Sequence, residues 1–214
     1  MWKSIFHTKK NTCDSNEINR LKQSTSQKEE KIGLINKLFD KQTMTENLSA
    51  LSITNEFEKL TSMKYKETIF DSMKDDWKKD SSTFDSLVLK KEKLLFYIET
   101  TDEISIGGFM KKKIMGVNRK IGDVDCFLFT NRNKQMKKYQ IKSTNKFDAF
   151  QVFSKQDPKL FTFGNDLTIY KEDMKDKSTV NERGSFFNYG RDKNALLGKV
   201  GTFEIKRIRV IQLE

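Results

Sequence analysis

From about Tyr65 onward the apolar residues come in short β-type runs separated by glycine, asparagine and aspartate, and this rhythm constrains the fold most. Strands are predicted near 68–71, 93–99, 103–110, 124–130, 137–142, 149–153, 160–163, 167–171, 185–189 and 200–213. Spacings of about ten residues between such runs are the mark of a sandwich or barrel. Cys126, Leu128 and Thr130 alternate with Phe127 and Phe129, which places the two sets on opposite faces of one strand. Near the end the apolar phase shifts from Phe203 and Ile205 to Ile208 and Val210, predicting a β-bulge or a bend between sheets. Nine of the ten glycines follow residue 100, and the only proline is Pro158. A Gly-poor, polar N-terminal arm at 1–63, helical or partly disordered, is therefore expected before a mainly β domain at 64–214.

Inside the arm, Ile18, Leu21, Ile32, Ile35 and Phe39 fit heptad a and d positions, but Thr25, Lys28 and Gln42 interrupt the seam. A short amphipathic helix fits better than a sustained coiled coil. Leu48, Leu51, Phe57 and Leu60 mark another helix, with Thr45 as its N-cap. A further helix is expected at 83–91, capped by Ser81 or Ser82, from the spacing of Phe84, Leu87 and Val88.

Composition excludes several classes of function. The longest apolar run, Leu94–Ile98, falls far short of the ~20 residues needed to cross a bilayer. The first ten residues lack an apolar signal core, so a soluble cytoplasmic protein is expected. Cys13 and Cys126 are too few for a disulfide framework or a four-ligand zinc site. His7 is the one histidine, so any histidine-based catalysis would have to pass through it. The 17 phenylalanines point to a substantial core.

Five blocks occur in an order that resembles the TLDc domain family, over about residues 64–213. YKETIFDSMKDDWKKDSSTF (65–84) resembles the family's opening strand, its Asp71-Ser72, a loop with Trp77, and Phe84 starting a helix. LLFYIETTDEISIGGFM (94–110) resembles a hairpin closed by Gly107-Gly108, and VDCFLFT (124–130) the next strand, with Phe127 and Phe129. FGNDLTIYK (163–171) resembles the block carrying Phe163, Gly164, Asp166 and Leu167, and GTFEIKRIRVIQL (201–213) the closing strand with Phe203. Asp76, Asn165 and Arg209 depart from the family's usual Gly, Gly and Glu, which marks a divergent member. The resemblance implies a sandwich of two antiparallel sheets with short flanking helices. It also implies roles in oxidative-stress resistance and, for some members, binding to vacuolar proton-pump subunits. No cofactor, metal or settled catalytic residue comes with it.

Each motif also has a reading from its own residues. Gly107-Gly108 permits a twist, a bulge or close backbone approach. Asp71, Asp75, Asp76 and Asp80 form an acidic loop, but Met73, Asp76 and Ser82 stand where an EF-hand needs Asp, Gly and Glu. That loop reads as turn and capping chemistry. Cys126 reads as small core packing, since a redox thiol needs exposure and a nearby cation. Trp77 is expected to plug its polar loop onto the sandwich, and the closing strand to pack centrally. The net charge is +11, most of it after residue 63, with Lys111–Lys113, Arg119-Lys120, Lys134 and Lys137-Lys138 conspicuous. Interspersed acids and scarce arginine make this a solvated lysine surface rather than a specific nucleic-acid site.

The reading favoured by the sequence is a non-catalytic, TLDc-like protein-interaction module. Two alternatives remain: a redox or enzymatic protein using Cys126, and a basic binder of nucleic acid or an anionic membrane surface.

Overall fold

The structure is a computed structural model, and it describes residues 55–181 and 186–214. Contacts group Met1–Ile53 and Thr54–Glu214 as separate compact units. The heptad pattern, His7, Cys13, the Thr45 cap, Leu48 and Leu51 lie outside the described residues. The unit boundary falls at Ile53/Thr54 rather than 63/64, because a helix at 55–61 (α1) carries Phe57 onto the sheet.

The domain is mainly β, with two antiparallel six-stranded sheets. Sheet A has the order β1 (Tyr65–Asp71), β12 (Ile205–Leu213), β2 (Leu94–Thr100), β3 (Ser105–Met110), β5 (Phe127–Thr130) and β6 (Lys137–Gln140). Sheet B has the order β11 (Gly201–Thr202), β10 (Thr179–Val180), β9 (Leu167–Tyr170), β8 (Lys159–Phe163), β7 (Phe150–Val152) and β4 (Arg119–Ile121). Helix α2 (Phe84–Val88) and two 3-10 helices, Ser143–Asp148 and Glu172–Lys177, fill the connections. Among the described residues no helix is long and apolar enough to cross a membrane.

The core between the sheets is aromatic. Phe96 of sheet A lies 4.8 Å from Phe150 and 4.9 Å from Phe161 of sheet B, centroid to centroid. Phe84 stacks on Phe161 at 5.5 Å and meets Phe70 edge-on at 4.9 Å, so α2 joins the two sheets at one margin. The helix is shorter than the predicted 83–91, and its N-cap is Thr83 rather than Ser81 or Ser82, with no side-chain cap bond; Ser82, one residue earlier, accepts the Phe84 N–H on its Oγ at 3.2 Å.

The closing strand behaves as its apolar pattern predicts. It switches sheets after Thr202, and its register against β2 slips between Ile205 and Arg207, the signature of a bulge. That slip returns Phe203, Ile205, Ile208 and Val210 all to the interior. β12 pairs with β1 on one side and β2 on the other. Burying its apolar side chains contributes about 1.5–3 kcal/mol each.

Strands β4 and β10 have no counterpart among the predicted runs. The predicted strand at 185–189 is reduced, among the described residues, to one bridge between Phe187 and Ile141.

Candidate functional site

Residues 71 and 72 lock the first strand to the last. The Asp71 carboxylate accepts two bonds from Arg207, from Nε at 3.0 Å and Nη2 at 2.6 Å, and a third from the Met73 N–H at 3.1 Å. Ser72 adds a reciprocal pair: its Oγ accepts the Ile208 N–H, and its own N–H donates to Ile208 O, both at 2.9 Å. Burial pushes the Asp71 carboxyl up, but the Arg207 and Met73 bonds outweigh it and hold the pKa below its usual value. The other carboxylates of this acidic loop serve the backbone. Asp75 Oδ2 accepts the Asp71 N–H at 2.8 Å, and Asp76 Oδ1 accepts the Lys78 N–H at 2.9 Å.

Trp77 is 5% exposed and belongs to the core, as its lone aromatic position predicts. Its loop is stitched down on both sides, by the Glu172 N–H to Trp77 O and by the Asp80 N–H to Lys155 O. Beside it lies Lys171, 1% exposed, which the sequence reading missed. Its ammonium donates to three backbone carbonyls, those of Ser154, Asp157 and Lys159. Desolvation pulls its pKa below the ordinary lysine value. A lysine inside the run Tyr-Lys-Glu-Asp-Met-Lys carries no sequence signal of burial, since such runs are usually solvated.

Gly107 and Gly108 are explained by one ring on each face. A Cβ at Gly107 would stand 1.8 Å from the Phe96 carbonyl oxygen and 2.7 Å from the Phe129 ring. A Cβ at Gly108 would stand 2.6 Å from the Phe163 ring, on the interior side. Close approach is thus the reason for both glycines. Over Gly107 the Tyr97 and Phe129 rings lean together to 6.2 Å, and Phe57 meets Tyr97 edge-on at 5.6 Å. Phe127 and Phe129 do face away from Cys126 and Leu128, yet both are buried, so sheet A is apolar on its two sides. Arg209, on the same side as Tyr97, places its guanidinium 5.0 Å from that ring and donates to Glu99 at 2.5 Å.

In the Phe163–Leu167 block, Phe163 and Leu167 enter the core while Gly164 passes beneath the Phe186 ring. Gly164 has φ +53°, and a Cβ there would lie 2.3 Å from that ring. Asp166 is fully buried, its carboxylate accepting the Phe186 and Phe187 N–H groups at 3.1 Å and the Tyr189 hydroxyl at 2.9 Å. These bonds occupy two of the backbone donors that a strand at 185–189 would have used, those of Phe186 and Phe187.

Cys126 has no exposed surface, and burial, with buried Asp123 adding to it, pushes its thiol well above the usual value. Both properties oppose thiolate chemistry. Asp123 itself accepts the Lys111, Lys112 and Asp125 N–H groups.

Hollows among the described residues include two on the surface. One, of about 340 Å³, is lined by Arg132, Lys137, Tyr139 and Asp192; there Asp192 is bonded to Lys137 and the Arg132 guanidinium to Asn194 O. The other, of about 240 Å³, lies on sheet B between Phe153 and Phe186, with Lys120, Lys159, Thr162 and Thr168. Among the described residues no group of three His, Cys, Asp or Glu side chains is placed to hold a metal ion.

No model of a known protein family matches the chain, and no curated protein matches it by sequence.

Proposed function

We propose that the sandwich is a TLDc-like protein-interaction module whose loops are its working parts. The observation supporting this reading is the use made of the buried polar groups. Asp71 and Ser72 hold the β1 end, Asp123 holds the turn after β3, Asp166 holds 186–189, and Lys171 holds the β7–β8 turn. Asp123, Asp166 and Lys171 spend their hydrogen bonds fixing the path of a loop, while Asp71 and Ser72 anchor the loop that follows β1 to strand β12. Loops held on a stiff scaffold are the usual means of recognising a partner. The motif residues behind the resemblance therefore have physical work that suits a module of this kind.

The partner class we propose is the vacuolar proton pump, and the process resistance to oxidative stress. The test is titration of the purified chain against isolated pump subunits. A Kd below about 10 μM supports the reading, and no association at about 100 μM overturns the pump assignment. The Cys126 alternative has the weaker support, because that thiol is sealed in the core.

A further inference from the structure

One end of sheet A, where β2 and β5 begin and β3 and β6 finish, is basic and tipped with apolar side chains. Hydrogen bonds gather its loops: the Lys93 N–H donates to Lys111 O at 3.0 Å and the Lys90 N–H to Ile114 O at 2.7 Å. The Lys111 and Lys112 N–H groups reach Asp123 Oδ2 at 2.6 and 2.9 Å. Gly122 brings in a third loop, since a Cβ there would lie 2.8 Å from Phe147 Cα. On these loops Met115, Val124 and Phe147 are 70%, 55% and 72% exposed. Tyr65, opposite Leu213 at the same end, is 43% exposed. Three of the six exposed large apolar side chains among the described residues thus lie on these loops, and a fourth, Tyr65, lies on the edge strand at the same end.

Lysines surround them. Lys90, Lys93, Lys112 and Lys113 make no ion pair among the described residues, whereas Lys111 pairs with Asp125 at 3.1 Å. The Lys146 ammonium lies 5.3 Å from the Phe147 ring centre. Single-stranded nucleic acid favours aromatic platforms and arginine forks. Met115 and Val124 cannot stack on bases, and the two aromatic tips, Phe147 and Tyr65, have lysine rather than arginine as a chain neighbour. A lipid interface takes both parts: headgroups attract ammonium groups, and the acyl boundary accepts apolar tips.

We propose that this end of the sandwich docks on an anionic bilayer surface. Phe147, Val124 and Met115 enter the headgroup–acyl boundary while the surrounding lysines bind anionic headgroups. The proposal differs from the protein-interaction reading in its partner, a bilayer, although the turn after β3 that Asp123 holds belongs to both.

The test is sedimentation of the full chain with phosphatidylcholine vesicles, with and without about 30 mol% phosphatidylserine. Binding is expected only with phosphatidylserine at about 0.1 M salt, and should be lost at about 0.5 M. Joint Lys112→Glu and Lys113→Glu substitution should weaken it at least about 30-fold. Phe147→Ser should weaken it about tenfold without changing the melting temperature, because that ring is exposed. Absence of binding, equal binding to neutral vesicles, or indifference to these substitutions overturns the proposal. So does tighter binding to single-stranded RNA that Phe147→Ser leaves unchanged.

Discussion

Phe57 and Phe129 meet edge to face on the outer side of sheet A, ring centroids 4.8 Å apart at 67°. The contact ties α1 to a strand more than seventy positions away and makes the helix part of the domain. Phe57→Ala should destabilise by about 3 kcal/mol, read by urea unfolding. A deletion of 1–53 should leave a cooperative domain, whereas one that also removes Phe57 should not. A loss below about 1 kcal/mol would mean that the ring contributes little.

Trp77→Ala should also cost about 3 kcal/mol, because the ring is in the core although every neighbour from Asp75 to Lys79 is charged. The unfolding midpoint in denaturant checks it, and an unchanged midpoint contradicts the burial.

The Asp71–Arg207 pair gives a pH dependence with a definite sign. The folded carboxyl has a lowered pKa, so its stabilisation is complete above about pH 4 and is lost as pH falls through the folded value. Asp71→Asn should cost about 2 kcal/mol near neutral pH and flatten the acid side of the stability curve. Melting temperatures measured from about pH 6 to about pH 2 test both parts. An acid limb identical in the two proteins would refute the assignment.

The two glycines should differ in whether they can be rescued. The atoms nearest a Cβ at Gly108 all belong to the Phe163 ring, so pairing Gly108→Ala with Phe163→Leu should recover part of the lost stability. Gly107→Ala meets a backbone oxygen as well, and Phe129→Leu should not restore it. Thermal melts of the two double variants decide the matter; equal rescue would count against this geometry.

The sandwich was legible because its strands advertise themselves in two ways. Alternation separated Cys126 from Phe127, and the phase slip near residue 206 announced the bulge. Less of what fixes the loops was legible, for identifiable reasons. Arg119–Ile121 and Thr179–Val180 are too short and polar to show a period, and they pair only because neighbouring strands are in place. Residues 186–189 looked like a strand from composition, but Asp166 takes the Phe186 and Phe187 N–H groups, leaving the Asn188 N–H to pair with β6, at Gln140 O. Lys171 gave no sign of burial, because its environment is made by three backbone carbonyls of the 154–159 turn, an earlier stretch of chain, and every residue has such a carbonyl. Alternation also could not say that the face carrying Phe127 and Phe129 would itself be covered.

The position of β12 between β1 and β2 bears on how the domain is made. The strand that comes last in the order of synthesis must enter between the first two. Until residues 205–213 have left the ribosome, β1 lacks the one strand partner it has among the described residues, and β2 carries an open edge facing the gap. Such long-range pairing is slow, and the waiting intermediate exposes aromatic sheet to its neighbours. Over that interval the unpaired edges of β1 and β2 are where mispairing with another chain would begin.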